Sequence, residues 1–208
     1  MNKINKNLEI RSPINQLNLF GFNNYFNSLA KLYKKNKLPN TILLSGQKGS
    51  GKATFAYHFI NYLLSPNESD KYSLDNYSIN SQNKSFINLS NGTHPNFFLL
   101  DGGNDAENIK IENVRNVFKF LNQSTFSSNI KIVLIDNAEY LNINSSNALL
   151  KVLEEPDDRT YFFIINNTNN RISETIKSRC IEFKIFLSMS EKKCILANIC
   201  NEYNFHFN

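Results

Sequence analysis

Short apolar runs alternate along the chain with segments whose apolar residues recur at helical spacing. The nearly continuous apolar runs lie at residues 42–45, 97–101, 131–136 and 160–167. Runs of this kind are typical of strands buried on both faces of a parallel sheet. Helical spacing is found between them, at residues 20–37, 53–64, 111–123 and 145–156. The alternation predicts an α/β fold in which helices flank a parallel sheet.

Polar segments divide the chain into predicted parts. Residues 1–18 are polar and irregular, which predicts a loose leader. Residues 19–186 carry the strand and helix pattern and form the predicted core, with the polar stretch 65–95 as a surface insertion. A new helical pattern fills most of residues 187–208, and it predicts the first element of a small helical lid subdomain.

The last helix of the predicted core carries signals at both ends. Asn144 or Ser145 is the predicted N-cap, because their side chains can accept a hydrogen bond from the first helical turn. Pro156 ends the helix, since proline disfavours helical geometry in the residue before it.

Composition excludes several classes of protein. The chain has 41% hydrophobic and 20% charged residues, no 18-residue apolar run and no secretory signal, so we expect a cytoplasmic protein without a membrane span. The net charge of +5 is weak support for nucleic-acid binding in a chain so rich in Asn, Ile and Lys. The three cysteines form no Cys-x-x-Cys pair, so neither a zinc site nor a disulfide framework is predicted.

A glycine-rich stretch, GQKGSGKAT, follows the first predicted strand and precedes a predicted helix. It nearly matches the phosphate-binding pattern G-x-x-x-x-G-K-[ST]. Backbone N–H groups at such a turn surround phosphate oxygens, and the lysine adds a positive charge. Gly46, Gly49, Gly51 and Lys52 therefore predict a site for phosphate or a nucleotide, in which weak binding is expected and no cofactor is required.

The residue after this lysine is Ala53, where the pattern has a serine or threonine that holds Mg²⁺. Thr54 lies about 100° further round the helix, so it does not replace the missing hydroxyl. We expect magnesium-assisted cleavage of a nucleotide to be impaired.

A second motif, KIVLIDNAEYL, resembles the Walker B arrangement, in which an apolar strand ends in an acidic residue. Asp136 is placed to hold Mg²⁺ or its water. Hydrolysing ATPases with this motif have a glutamate next, whereas this chain has Asn137, which cannot take a proton. Glu139 is two residues further on, and we expect it to lie several Å from the position that a catalytic base needs.

A third group of residues is more specific than a phosphate-binding loop. It contains NALLKVLEEP and, further on, Ser178-Arg179-Cys180. With these motifs the chain resembles the bacterial DNA polymerase III clamp-loader subunits, in particular the delta prime family. The similarity runs from about Leu19 through GTHPNFFLLD to SRCIEF and covers most of the chain.

This resemblance implies a P-loop core of the AAA+ class, a helical lid and a C-terminal collar that assembles a pentamer with delta and gamma or tau subunits. It also implies work on the sliding clamp and primed DNA, without ATP hydrolysis by this subunit. Arg179 is the arginine finger that it implies, acting on a neighbour's nucleotide, and Asn166 or Asn167 is at the sensor 1 position. We expect the collar to be absent from this chain and no zinc module at 65–95, which has no cysteine.

Two alternatives remain open at this point. An active ATPase of the gamma or tau type would use Thr54 and Glu139 in place of the missing groups. A P-loop kinase or an unrelated nucleotide-binding protein is disfavoured, because it leaves NALLKVLEEP and SRC unexplained.

Overall fold

The computed structural model describes residues 10–101, 108–123, 130–167 and 172–203. The predicted parts 1–9 and 204–208 lie outside these ranges. The elements, in chain order, are α1 (Asn23–Lys34), β1 (Thr41–Gly46), α2 (Lys52–Leu64), α3 (Lys84–Ser90), β2 (Phe97–Leu100), α4 (Ile111–Leu121), β3 (Lys131–Ile135), α5 (Ile143–Glu154), β4 (Thr160–Asn167), α6 (Glu174–Lys177), β5 (Ile181–Lys184) and α7 (Met189–Glu202). Short 3₁₀ helices lie at Pro13–Asn15 and Ala138–Tyr140.

The strands form one parallel sheet in the order β2-β3-β4-β1-β5, which confirms the predicted fold class. Alternate residues of a strand point to opposite faces of the sheet. In β1, Ile42 and Leu44 therefore pack with α1 and α2, whereas Leu43 packs with α4 and α5. Strands β1 to β4 read as nearly continuous apolar runs, as is typical of a parallel sheet covered on both faces, whereas the edge strand β5, with the sequence IEFK, alternates apolar and charged residues.

One helix start differs from its prediction. The N-cap of α5 is Asn142, whose side chain accepts a hydrogen bond from the backbone N–H of Ser145 at 2.9 Å. The predicted cap at Asn144 or Ser145 is wrong. The first helical residue, Ile143, is exposed, so its apolar side chain does not belong to the buried stripe that marks the helix.

The stretch 65–95 is more than a surface feature, because it contains α3 and buries apolar side chains. Tyr72 stacks on Phe26 of α1 with ring centroids 4.9 Å apart, and Ile79 and Leu89 are buried. These positions follow no regular period, so the sequence pattern gives no sign of them.

Residues 10–18 also differ from the loose leader that their composition predicts. The backbone N–H of Ile79 donates to the carbonyl of Leu17 at 2.8 Å. The Arg11 N–H donates to the Tyr203 hydroxyl at 3.1 Å, and the Asn18 amide donates to Glu202 at 3.1 Å. This segment is thereby held between the insertion and α7.

No helix within the described ranges is long and apolar enough to cross a membrane.

Candidate functional site

A cavity of about 450 Å³ opens at the end of the sheet where β1 leads into the glycine-rich loop. The loop and the start of α2 line one part of it. The segment before α1 and the helix α7 also line it, with apolar residues such as Ile10, Ile195 and Ile199 and with the polar residues Arg11, Gln16 and Asn18. The volume suits a small organic ligand.

Two glycines give the loop its shape. Gly49 and Gly51 have φ values of 78° and 84°, in the left-handed region that favours glycine. A Cβ atom at Gly51 would also lie 3.1 Å from the ring of Phe22. Gly51 is the N-cap of α2, so the free backbone N–H groups of this helix face the cavity region, as an anion site requires.

Lys52 is almost fully buried, with 4% of its surface exposed. Its Nζ donates to the carbonyls of Gly46 at 2.9 Å and Gln47 at 2.7 Å, and to Asn167 Oδ1 at 2.9 Å. Burial lowers the pKa of Lys52, and the carboxylates of Glu139 and Asp136 act in the opposite direction. All three bonds of the ammonium group therefore go to the protein itself.

Asp136 and Asn137 lie directly after β3 and line the same cavity. Asp136 Oδ1 accepts a hydrogen bond from the Asn137 backbone N–H at 2.9 Å. Burial raises the pKa of the Asp136 carboxyl, and this hydrogen bond lowers it. Asn137 is itself left-handed, with φ 54° and ψ 53°, and it turns the chain into the 3₁₀ helix Ala138–Tyr140.

This turn changes the position expected for Glu139. The Glu139 carboxylate accepts hydrogen bonds from the backbone N–H of Asn167 at 3.3 Å and from its side-chain amide at 2.5 Å. The expected displacement treats the chain after Asp136 as a continuing strand, whereas the left-handed residue folds it back. Glu139 therefore joins the network around Lys52, which sequence reasoning misses.

Of the two candidate sensor residues, Asn167 enters this network and Asn166 does not. The Asn167 amide also donates to Asn137 Oδ1 at 3.1 Å, so one side chain links Lys52, Asn137 and Glu139. Asn166 is buried, and its Oδ1 has no hydrogen-bond partner among the described residues. Neighbouring residues of a strand point to opposite faces, which explains the difference.

The groups at the cavity fit a phosphate better than they fit magnesium. Ala53 and Thr54 both line the cavity, but Ala53 has no oxygen atom at the place where a P-loop protein holds the ion. The residues present do not complete a magnesium site.

Arg179 lies in a turn between α6 and β5, away from this cavity, whose lining does not include it. Its guanidinium donates from Nε to Glu154 Oε1 at 2.9 Å and from Nη2 to the same oxygen. Nη1 donates to the carbonyl of Thr175 at 2.8 Å. The side chain retains 30% exposure.

Comparison with known proteins shows the family of this chain. A family model described as "DNA polymerase III, delta subunit" matches residues 21–187. The chain belongs to this family. Members similar to it include the DNA polymerase III subunit delta' of Pseudomonas aeruginosa, 34% identical over 140 residues that cover 67% of this chain and 41% of the relative. The Escherichia coli delta' subunit is 27% identical over 74% of this chain and 45% of its own length.

Relatives named differently also match this chain. The DNA polymerase III subunit gamma of Buchnera aphidicola from Acyrthosiphon pisum is 31% identical over 75% of the chain and 41% of the relative. The chain spans less than half the length of these three relatives.

Solved structures support the same fold. A gamma subunit-related protein of DNA polymerase III from Thermotoga maritima matches with a TM-score of 0.53 and 18% identity, over 85% of this chain and 57% of that one. The RuvB Holliday junction branch migration motor of the same organism matches with a TM-score of 0.53 and 16% identity, over 93% and 56%. These likenesses confirm the predicted AAA+ P-loop fold.

Proposed function

We propose that the protein is a clamp-loader subunit of the delta prime type, which acts in DNA replication without hydrolysing ATP itself. In this role it assembles with delta and gamma or tau subunits in the cytoplasm and helps to place the sliding clamp on primed DNA. Arg179 reaches the nucleotide of a neighbouring subunit, where a guanidinium stabilises the charge of the transferring phosphoryl group.

The position of Arg179 in the sheet is the observation that carries this proposal. Ile181, at the start of β5, pairs with Ile42 at the start of β1, whereas the glycine-rich loop follows the end of β1. A strand advances about 3.3 Å per residue, so the start of β1 and Gly46 are about 13 Å apart. Arg179 therefore lies at the opposite end of the sheet from the cavity of its own chain. This position supports action on a nucleotide that a different chain holds.

The state of the cavity supports the second half of the proposal. Ala53 has no hydroxyl for magnesium, and Asn137 cannot take a proton from the attacking water. The ammonium group of Lys52 bonds to three acceptors of its own chain. Phosphate or ATP can then bind only weakly, in competition with these bonds.

The test is the ATPase of a clamp loader reconstituted with this protein, measured with clamp and primed DNA. Arg179→Ala is expected to lower the stimulated turnover by at least about tenfold, because arginine fingers contribute factors of about 10³ or more in other phosphoryl-transfer enzymes. Arg115→Ala is the matched control, since Arg115 is an exposed arginine on α4 that pairs with Glu112 at 4.0 Å. Unchanged turnover with Arg179→Ala would exclude the finger role.

A second candidate function, an active ATPase of the gamma or tau type, is favoured by the placement of Glu139. Its carboxylate belongs to the network of Lys52 and Asn167, so a base is present near the loop. The relatives named gamma support the same candidate. Steady ATP turnover by the purified protein, abolished by both Lys52→Ala and Glu139→Gln, would establish it in place of the first proposal.

A further inference from the structure

We propose that Glu154 is a positioning residue for Arg179, which holds the guanidinium in the orientation that a neighbour's phosphate requires. This inference rests on the proposed function of Arg179 in a neighbouring site. It names a residue of NALLKVLEEP whose role the motif by itself does not reveal.

The contact between the two side chains is directional. Nε and Nη2 of Arg179 both donate to one oxygen of Glu154, Oε1, and Nη1 donates to the Thr175 carbonyl on another edge of the planar group. Two edges of the guanidinium are therefore fixed, so its plane cannot rotate without breaking at least one bond. Few surface arginines are held in this way, since exposed ion pairs usually leave the long side chain free.

The backbone beneath Arg179 is also fixed. Its N–H donates to the Ile176 carbonyl at 3.0 Å, and the N–H of Cys180 donates to the Lys177 carbonyl at 3.2 Å. The Cys180 thiol donates to Ile176 as well, at 3.1 Å, and burial raises the pKa of this thiol to about 12, so it stays protonated. The turn that carries Arg179 is anchored through the fully buried Ile176.

Glu154 stands on an equally rigid support. It is the last residue of α5, whose Leu149 and Leu153 are buried against the sheet. At the other end of the helix, the Ser145 hydroxyl donates to the Ile109 carbonyl at 2.6 Å. A carboxylate on a packed helix can impose an orientation on a side chain that the fold otherwise leaves at the surface.

The arrangement leaves donors free for a ligand. An arginine has five N–H donors, and the contacts to Glu154 and Thr175 use one on each of the three nitrogens. One N–H on Nη1 and one on Nη2 have no acceptor among the described residues. These two donors belong to a side chain that is 30% exposed, so N–H groups of the guanidinium remain for a phosphate from outside.

A guanidinium that is held in one orientation should support faster ATP turnover than one that moves freely. A small misplacement of a reacting or stabilising group can cost a large factor in turnover without changing how tightly the substrate binds. Loss of Glu154 should therefore lower kcat of the reconstituted ATPase while the KM for ATP and the assembly of the complex stay unchanged.

The experiment compares Glu154→Ala with Glu155→Ala in the reconstituted clamp loader, with clamp and primed DNA. The second variant removes the same charge from the adjacent residue, which makes no described contact with Arg179. We expect Glu154→Ala to lower kcat by roughly tenfold, and Glu155→Ala by less than about twofold. Glu154→Gln should recover most of the loss, because both bonds go to a single oxygen that an amide also provides.

The outcomes distinguish the positioning role of Glu154 from the finger role of Arg179. If Arg179→Ala leaves turnover unchanged, the finger role fails. If Arg179→Ala lowers turnover but the two glutamate variants behave alike, the finger role stands and the positioning role is overturned. A rise in turnover with Glu154→Ala, or a glutamine variant no better than alanine, would also overturn positioning.

A measurement on the isolated protein does not depend on assembly. Nuclear magnetic resonance of the arginine Nε–H groups should show slow hydrogen exchange for Arg179 and fast exchange for Arg115, whose side chain is 65% exposed. Glu154→Ala should raise the exchange rate of Arg179 to that of Arg115, and Glu155→Ala should not. Fast exchange of Arg179 in the unmodified protein would contradict the proposal.

Discussion

The two ends of the sheet each carry a cationic side chain, but the protein surrounds these cations differently. Lys52 is 4% exposed and gives its three hydrogen bonds to Gly46, Gln47 and Asn167. Arg179 is 30% exposed on its side chain, is held from two edges and keeps two N–H groups without an acceptor in the described chain. Lys52 is thus bonded within its own chain, whereas Arg179 keeps donors that no described residue accepts.

This difference bears on what each cation contributes to the fold. Once Lys52 bonds to the loop and to Asn167, it links β1, α2 and β4, and its loss would affect the fold. Arg179 adds little to the fold, because its partner is a half-exposed carboxylate. Stability and activity should therefore depend on opposite ends of the sheet, and three measurements on the isolated protein examine the stability side.

Lys52→Met should give the largest loss, with the free energy of unfolding lower by about 3 kcal/mol. Methionine keeps the apolar length of the side chain but leaves three acceptors, two of them buried, without this donor and Glu139 without a nearby cation. Chemical denaturation with urea measures the change. Arg179→Met is the matched control, and we expect it to lower stability by less than about 1 kcal/mol. Equal losses at the two positions would contradict the contrast between the two ends.

Asn167→Ala should lower the free energy of unfolding by about 2 kcal/mol, because one side chain bonds to Lys52, Asn137 and Glu139. The neighbouring residue supplies the control. Asn166 is buried, but its Oδ1 has no partner within the described ranges, so Asn166→Ala should change stability by no more than about 0.5 kcal/mol. If Asn166→Ala lowered the free energy of unfolding more than Asn167→Ala does, the result would contradict the stabilising role of the network around Lys52.

Acid should lower the free energy of unfolding through His58 on α2. His58 is fully buried beside the Tyr72 hydroxyl at 3.1 Å, and burial lowers its pKa to about 3. In the unfolded chain the histidine has a pKa of about 6.5 and binds a proton below that pH, whereas in the folded chain it stays neutral. The free energy of unfolding therefore falls as the pH drops below about 6.5. Between pH 7.5 and 5.5 this group should cost about 1.4 kcal/mol of unfolding free energy.

The comparison for this measurement is His58→Gln, which removes the titrating group. Burial also lowers the pKa of His94, which is still present in the variant. The variant will therefore still lose some stability in acid. The His58 contribution is the difference between the two urea titrations across this pH range. Identical pH dependence in both proteins would show that His58 does not titrate differently in the folded and unfolded chains.

Sequence reasoning succeeds where the signal is local. Four of the five strands, β1 to β4, are predicted from apolar runs typical of a sheet covered on both faces, and the glycine-rich loop from spacing within nine residues, GQKGSGKAT. It fails where the chain turns back on itself. Glu139 joins the site only because Asn137 adopts a left-handed conformation, which is unusual for a residue other than glycine and is not visible in a residue pattern.

By itself, the sequence determined the parallel α/β fold, the family to which the chain belongs and the absence of a side-chain oxygen at Ala53. Periodicity and residue identity suffice for these conclusions, because they are properties of nearby positions. Only the tertiary structure decided which partners the charged groups find. Lys52 meets Asn167 across 115 residues of chain, and Arg179 meets Glu154 across 25. Such contacts depend on strand order and on which face of a strand each side chain occupies, and these are fixed only when the whole sheet packs.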